Sequence, residues 1–198
     1  GAEAYAEMGL SLVGIDCDLG EASVQIASDS YSIGELATRR LIDDGCSRIL
    51  CLRNNSRMRM PANKRTDAYH DVVEQAGLPA LVREVEFVKS DDEKSAVVAK
   101  TLDENPDIDG IFAGDDTMAA ICLNVMKQRG LSAPDDIKVV GADGARRTMT
   151  FMPDLTTVRQ DIDRIGELAA QSIIALINGD KPESNIKLPV ELIEGKTA

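Results

Sequence analysis

The sequence predicts an α/β fold, with a doubly wound parallel sheet that carries helices on both faces. The first observation is that short apolar segments typical of buried strands alternate with amphipathic helical segments. The second is that glycines stand where the predicted helices end, as at Gly45, Gly77 and Gly130. The third is size, because 198 residues that are 43% apolar suffice for one large domain or two small lobes.

The elements follow one another in order from residue 10. The strands LSLVGID and SVQIASD come first, and a helix over residues 33–44 follows them. The later strands are RILCL, LVREVEFV, DGIFAG, IKVVGAD and TTV, and the later helices span residues 65–75, 94–103, 117–129 and 161–178. The last helix has apolar residues at three-and-four spacing, which predicts a stripe that faces a core. The segment IKLPVELI closes the chain.

Charge and cysteine spacing exclude several kinds of protein. The net charge is −12, whereas a freestanding nucleic-acid binder is normally basic. No apolar run has the length of a membrane span, and the start GAEAYAEMGL lacks the features of a signal peptide. The four cysteines, Cys17, Cys46, Cys51 and Cys122, match no zinc or redox spacing. We therefore expect a cytoplasmic protein with reduced cysteines, no metal and no cofactor.

Polar residues stand at the carboxyl ends of several predicted strands, where ligands bind in sheets of this type. They are Asp29, the loop 53–65, residues 89–92, Asp115 with Asp116, and Asp143. Each aspartate by itself is explained as well by a helix N-cap. Several of them on one edge of a sheet predict a shared pocket. The loop RNNSRMRMPANKR is either a solvated surface loop or a basic rim that faces an anion.

Signals for catalysis are few. His70 is the sole histidine, and it is expected on the surface of a helix. Asp16 and Asp18 after a strand, with Asp115 and Asp116 after a later one, are similar to the aspartates of haloacid-dehalogenase phosphatases. Gly20 departs from that pattern, because those enzymes usually have Thr or Val there. We expect that the protein is not an enzyme.

Five segments carry a more specific pattern. SDSYSIGELATRRLIDDGCSRILCL contains a strand, an Asp turn, a helix and a strand, with Cys46 at a position where His is usual. RTDAYHDVVEQAGL is similar to an R-x-x-G-[FY] helix, with Ala68 in place of Gly. PDIDGIFAGDDTMAAICLNVMKQRGLSAPDDIKVVGADG and MPDLTTVRQDIDRIGELAA follow, and LPVELIEGKTA has Gly195 where Arg is common. Together these segments resemble the ligand-binding core of the LacI/GalR family of bacterial transcription regulators.

The resemblance implies a type I periplasmic-binding-protein-like fold, with one complete lobe and part of a second. Residues 1–45 and 157–181 would form part of the amino-terminal lobe. Residues 46–156 and 186–198 would form the carboxyl-terminal lobe, which binds the effector and dimerises. A small effector would change the angle between the lobes in a homodimer, and operator DNA would be bound only by a helix-turn-helix head that this chain lacks. The candidate dimer face would be supplied by the helix from Ser95 and the helix from Thr117, with Met118, Ile121 and Met126.

The resemblance also implies which residues contact the effector. By position they are Asp29, Arg65, Asp115, Asp143 and Gln160. Arginine and aspartate suit a hydroxylated ligand, because each can bridge neighbouring hydroxyls. Where the family often has an aromatic ring, after the strand ending in Phe87, this chain has Lys89-Ser90-Asp91. An acidic or phosphorylated sugar is one expectation, because six basic residues lie nearby: Arg53, Arg57, Lys64, Arg65, Lys89 and Arg146.

Two other functions remain open. A secreted sugar-binding protein of a transporter would share the fold, and the phosphatase pattern would require an enzyme.

Overall fold

The structure is a computed structural model that describes residues 2–20, 23–55, 63–86 and 88–198. The helices are α1 (Ala2–Glu7), α2 (Ser30–Asp43), α3 (Asn63–Gln75), α4 (Asp91–Glu104), α5 (Asp116–Gln128), α6 (Arg146–Phe151) and α7 (Ile162–Ile177). The strands are β1 (Val13–Ile15), β2 (Val24–Ser28), β3 (Ile49–Asn55), β4 (Leu81–Glu86), β5 (Gly110–Ala113), β6 (Lys138–Asp143), β7 (Thr156–Gln160), β8 (Asn185–Leu188) and β9 (Val190–Ile193).

The described strands form two sheets. The larger has the order β4-β3-β5-β6-β7-β9, and the smaller has the order β1-β2-β8. The pairs are parallel apart from β7 with β9, which is antiparallel. Pro189 separates β8 from β9, and since proline has no N–H it cannot continue a hydrogen-bonded ladder. The predicted α/β fold with a mostly parallel sheet is confirmed.

Consecutive side chains of the central strands enter two different cores. Leu50 and Leu52 of β3 pack in a core with residues of α4 and α5. Cys51, between them, packs in a second core with residues of α2 and α3 on the other face. Helices therefore cover both faces of the larger sheet. This explains why its strands have continuous apolar sequences and do not alternate between apolar and polar residues.

The smaller sheet has its own core, in which Val24 and Ile26 of β2 pack against Ile165 of α7. Three segments lie in, or pack on, a different sheet from the one that the expected lobe limits would assign to them. α2 packs on the larger sheet through Ile33 and its neighbours, β7 is a strand of that sheet, and β8 belongs to the smaller one. The division into two lobes stays a prediction. If the lobes follow the sheets, one would comprise residues 30–160 with 190–198.

The apolar residues predicted for a dimer face lie inside the protein. Met118, Ile121 and Met126 retain 2%, 7% and 1% of their surface, respectively, and they pack in the core between α4, α5 and the larger sheet. They cannot offer an exposed face to a second chain, so their assignment to that face is wrong. The homodimer itself stays a prediction.

Candidate functional site

Three of the predicted site residues contact one another at the carboxyl edge of the larger sheet. The Arg65 guanidinium in the first turn of α3 donates from Nη2 to Asp143 Oδ1 at 3.0 Å. Gln160 Nε2, at the end of β7, donates to the same oxygen at 2.6 Å. Arg65 Nη1 also donates to the carbonyl of Gly114, which directly follows β5. Parallel pairing explains the meeting, because the ends of β6 and β7 lie side by side in register.

Arg65 is buried, with only 9% of its surface exposed. Removing a guanidinium from water is costly unless carboxylates or carbonyls replace the lost hydrogen bonds. Its Nη atoms have such partners, but among the described residues its buried Nε has no hydrogen-bond partner. Gly34 of α2 lies against the backbone of Arg65, and a Cβ on that glycine would overlap the Arg65 carbonyl. The close approach of α2 therefore helps to fix the start of α3 and the direction of this side chain.

Asp115 and Asp116 are consecutive, but the structure gives them different roles. The Asp115 carboxylate caps α5 by accepting from the backbone N–H of Met118 at 2.7 Å. The Asp116 side chain is buried and accepts from the Thr157 hydroxyl at 2.6 Å and from the Gly144 N–H at 2.8 Å. Sequence reasoning named both residues as strand-end carboxylates but predicted only Asp115 as a contact. The pair of consecutive aspartates could have indicated a second role for one of them, because a single side chain is enough to cap the helix.

Burial acts on both inner carboxyl groups. It raises the pKa of Asp116 to about 6, although the hydrogen bonds from Thr157 and Gly144 act in the opposite direction. Burial also raises the pKa of Asp143, an effect that the neighbouring Arg65 guanidinium opposes. Asp143 has a φ of 110°, which is unfavourable for a residue with a Cβ. A strained backbone and shifted pKa values at one sheet edge are typical of a site selected for function.

Asp29 lies at the end of β2, in the smaller sheet. It caps α2 by accepting from the Ser32 N–H at 3.2 Å, and its carboxylate pairs with Lys187 at 3.6 Å. The contacts recorded for the described residues do not join it to Asp143. The structure therefore brings together Arg65, Asp143 and Gln160, and it places Asp29 on a separate sheet.

A cleft of about 470 Å³ opens beside Gln160, between α6 and the start of α7. Its other lining residues are Gly144, Ala145, Arg146, Met149, Thr150, Arg159, Asp161, Ile162 and Asp163. A cavity of this size lies within the range of small-molecule sites, and it combines polar and apolar walls. Gln160 is the cluster residue that lines this cleft, and Gly144, which directly follows Asp143, lines it as well.

The basic residues that suggested an anionic ligand are ion-paired wherever the structure describes them. The pairs are Arg53 with Glu84 at 3.4 Å, Lys64 with Asp67 at 3.3 Å, Arg65 with Asp143 at 3.0 Å, Lys89 with Glu93 at 3.8 Å and Arg146 with Asp163 at 2.9 Å. Arg57 and Phe87 lie outside the described residues. Each of these described cations therefore has a carboxylate partner within 4 Å, which reduces the net positive charge along the described part of the edge.

The aspartates of the phosphatase pattern do not follow strands of one sheet. Asp16 follows β1 of the smaller sheet, whereas Asp115 follows β5 of the larger one. The Asp16 carboxylate accepts from the Ser28 N–H, and the Asp18 carboxylate accepts from the Gly20 N–H. Within the described ranges, no group of three or more His, Cys, Asp or Glu side chains is arranged to hold a metal ion. In the same part of the chain, none of the helices has both the length and the apolar character to cross a bilayer.

A polar cluster at the strand ends of a mostly parallel sheet is typical of an α/β protein that binds small ligands. Comparison with known proteins gives this class a family. The profile described as periplasmic binding protein-like domain matches residues 38–198, and the chain belongs to that family.

Similar proteins include repressors of sugar operons. The chain is 32% identical to the sucrose operon repressor of Pediococcus pentosaceus, over 100% of this chain and 61% of that protein. It is 30% identical to the ribose operon repressor of Halalkalibacterium halodurans, over 98% of this chain and 58% of that protein. A solved structure of the transcriptional regulator CelR–cellobiose complex superimposes with a TM-score of 0.87 at 27% identity, covering 98% of this chain and 61% of that one. The resemblance to LacI/GalR-type regulators is confirmed, and the chain spans about three fifths of the length of these relatives.

Proposed function

We propose that the chain is the effector-binding part of a LacI/GalR-type transcription regulator that senses a small hydroxylated metabolite. The observation that carries the proposal is the cluster in which Arg65 and Gln160 both bind the Asp143 carboxylate beside an open cleft. A guanidinium fork and a carboxylate can each bridge two neighbouring hydroxyls of a sugar. Asp115, at the end of the next strand, would contact the same ligand, and Asp29 would contact it from the smaller sheet.

The relatives support a sugar as the ligand class. Two of them are repressors of sucrose and ribose operons, and the CelR structure contains cellobiose. The ion pairing of the described basic residues favours a neutral sugar over a phosphorylated or acidic one. The relatives are repressors rather than transporter proteins or phosphatases, which supports regulation over the two alternatives.

The regulatory step requires a difference in binding between two states. A ligand that contacts both sheets would stabilise the arrangement in which they are closer together, and it shifts the equilibrium only by its difference in affinity for the two arrangements. We propose that this shift controls a separate DNA-binding segment of a longer, cytoplasmic, homodimeric regulator. The net charge of −12 supports a role for this chain in sensing rather than in contact with DNA.

Arg65→Ala tests the site. We expect the variant to lose roughly 100-fold in sugar affinity, because about 3 kcal/mol of charged hydrogen bonding to the ligand is removed. Calorimetric titrations with ribose, sucrose, cellobiose and glucose 6-phosphate would measure the affinities. Lys64→Ala is the matched control, because Lys64 is the preceding residue and its side chain is 67% exposed.

Thermal melts would show whether Arg65→Ala remains folded, and Arg65→Lys retains the charge without the fork geometry. Unchanged sugar affinity in a folded Arg65→Ala variant would contradict the proposed site. Tighter binding of glucose 6-phosphate than of the neutral sugars would contradict the proposed ligand class.

A further inference from the structure

Asp116 lies beneath the proposed site and contacts the elements that carry it. It occupies the first turn of α5, directly after Asp115. Its carboxylate binds the Gly144 N–H next to Asp143, and it binds the Thr157 hydroxyl three residues before Gln160 on β7. One buried side chain therefore joins the end of β6 and the first half of β7 to the start of α5. Only 2% of the surface of Asp116 is exposed, so a ligand in the cleft has no direct access to it.

Two glycines make this arrangement possible. A Cβ at Gly141 would stand 2.5 Å from Asp116 Oδ1, so a larger residue at this position of β6 would push the carboxylate away. Gly144 has a φ of 58°, and a Cβ on it would stand 2.6 Å from the Arg159 Cβ. The absence of a Cβ at Gly141 thus leaves room for the Asp116 carboxylate beside β6. A buried ionised group reduces stability unless its hydrogen bonds compensate, so stability alone gives little reason for Asp116 at this position.

We propose that Asp116 is a positioning residue for the effector site. In its ionised form it accepts hydrogen bonds from the Gly144 amide and the Thr157 hydroxyl, and these bonds keep Asp143 and Gln160 in the positions that bind the ligand. Protonation of Asp116 weakens these bonds and therefore weakens ligand binding. This inference rests on the proposed function. A carboxylate accepts both hydrogen bonds with charge assistance, whereas a neutral carboxyl has a proton on one oxygen and binds the two donors less strongly. The effect of protonation on ligand binding passes through the Gly144 backbone to Asp143 and along β7 to Gln160, without any contact between Asp116 and the ligand.

The charged groups around Asp116 define the pH range. On its own helix Asp115 faces it, and at the end of β6 Asp143 faces it; both carboxylates favour the protonated form of Asp116. From α3, Arg65 pairs with Asp143, and on β7 the Arg159 side chain beside Gly144 pairs with Glu191. Burial is the largest influence and places the pKa of Asp116 at about 6. Asp143 also has a raised pKa, so the experiment must separate the two groups.

The experiment follows the Gly144 amide and the Gln160 side-chain amide of the ¹⁵N-labelled chain by NMR as pH is lowered through 6. It also measures the affinity for ribose, sucrose and cellobiose over the same range. In the wild type, both amides should shift with a midpoint near pH 6, and sugar affinity should fall below it. In Asp116→Asn this transition should disappear from both amides, and affinity at neutral pH should drop roughly tenfold.

Two further variants keep the test independent of folding. Thr157→Val retains the carboxyl group but removes a hydrogen bond that lowers its pKa, so the midpoint should move to higher pH. Asp136→Asn is the matched control, because Asp136 also accepts from a backbone N–H and a hydroxyl, both of Ser132, on the exposed surface. It should leave the transition and the affinity unchanged.

The two proposals fail in different ways. If the sugars do not bind but the two amides titrate together and respond to both variants, the positioning role stands and the ligand class is wrong. If sugars bind with an affinity that is the same in Asp116→Asn, or if Gln160 does not respond to the titration, the positioning role is overturned. A Gly144 transition that persists in Asp116→Asn would assign the titration to another group and would also overturn it.

Discussion

At the scale of single residues, Asp116 and Asp136 show how position determines what a carboxyl group does. Each accepts hydrogen bonds from one backbone N–H and one hydroxyl. Burial raises the pKa of Asp116 to about 6, whereas the two bonds from Ser132 lower the pKa of the exposed Asp136. The same pair of donors therefore gives opposite shifts, because desolvation is the dominant effect only in the interior.

This contrast predicts opposite pH dependences of stability. The folded pKa of Asp116 lies above its ordinary value of 3.8, so the folded state binds the proton more tightly. Its contribution to stability is fully present below pH 3.8 and is lost as pH rises through about 6. Urea unfolding should show that the stability of the wild type relative to Asp116→Asn falls by about 3 kcal/mol over this range.

Asp136→Asn provides the control of opposite sign. Because the folded pKa of Asp136 is lowered, its contribution is present above its ordinary pKa of 3.8 and is lost as pH falls. A stability difference between wild type and Asp116→Asn that does not change with pH would show that Asp116 does not titrate in the folded protein.

The sequence predicted that Arg65, Asp143 and Gln160 lie at one edge of the sheet, and in the structure Arg65 and Gln160 contact Asp143. Arg65, Asp143 and Gln160 stand beside the ends of strands, so their meeting follows from the topology of a parallel sheet. The sequence does not show which of Asp115 and Asp116 caps α5 and which is buried. A shift of one residue in the start of the helix would exchange the directions of the two side chains. The contact role of all five predicted residues stays a prediction.

At the scale of elements, the contact between α2 and α3 depends on Gly34. A Cβ there would overlap the Arg65 carbonyl, whereas a Cβ on Gly166 of α7 would meet nothing within 4 Å. Neither glycine has a positive φ, so alanine fits both helices by backbone conformation. The two positions therefore test packing and helix propensity separately.

Gly34→Ala should destabilise the protein by about 1–3 kcal/mol through overpacking, and it should also weaken sugar binding, because Arg65 moves. Gly166→Ala should be neutral or stabilising by up to about 1 kcal/mol and should leave binding unchanged. Chemical unfolding and calorimetric titration of the two variants provide the comparison. Equal stability of the two variants would show that α2 and α3 can separate at no cost.

Elements with a buried apolar face were predictable, and those without one were not. α2, α4, α5 and α7 begin within a few residues of their predicted starts, because each presents apolar residues to a sheet. α6 was not predicted, since none of its six residues is buried and it therefore has no apolar stripe. Pro189 marks the break within IKLPVELI, but the assignment of β8 and β9 to different sheets depends on long-range pairing that local sequence does not encode.

At the scale of the whole molecule, charge separates sensing from contact with DNA. The chain has a net charge of −12, and the five described basic side chains considered at the site edge are each paired with a carboxylate. Binding to DNA gains most of its free energy from the release of counterions when cations neutralise phosphates. On a strongly acidic surface the electrostatic contribution to DNA binding becomes unfavourable, because the phosphates and the protein repel each other.

We therefore expect this chain to give no mobility shift with duplex DNA at physiological salt, even at about 10 μM protein, whether or not a sugar is present. The same measurement at low salt is a sharper test, because repulsion between like charges becomes stronger as screening decreases. A basic DNA-binding protein on the same duplex serves as the positive control. Submicromolar binding that weakens steeply with added salt would contradict the prediction, because it would require a cluster of unpaired cations large enough to outweigh the net charge of −12.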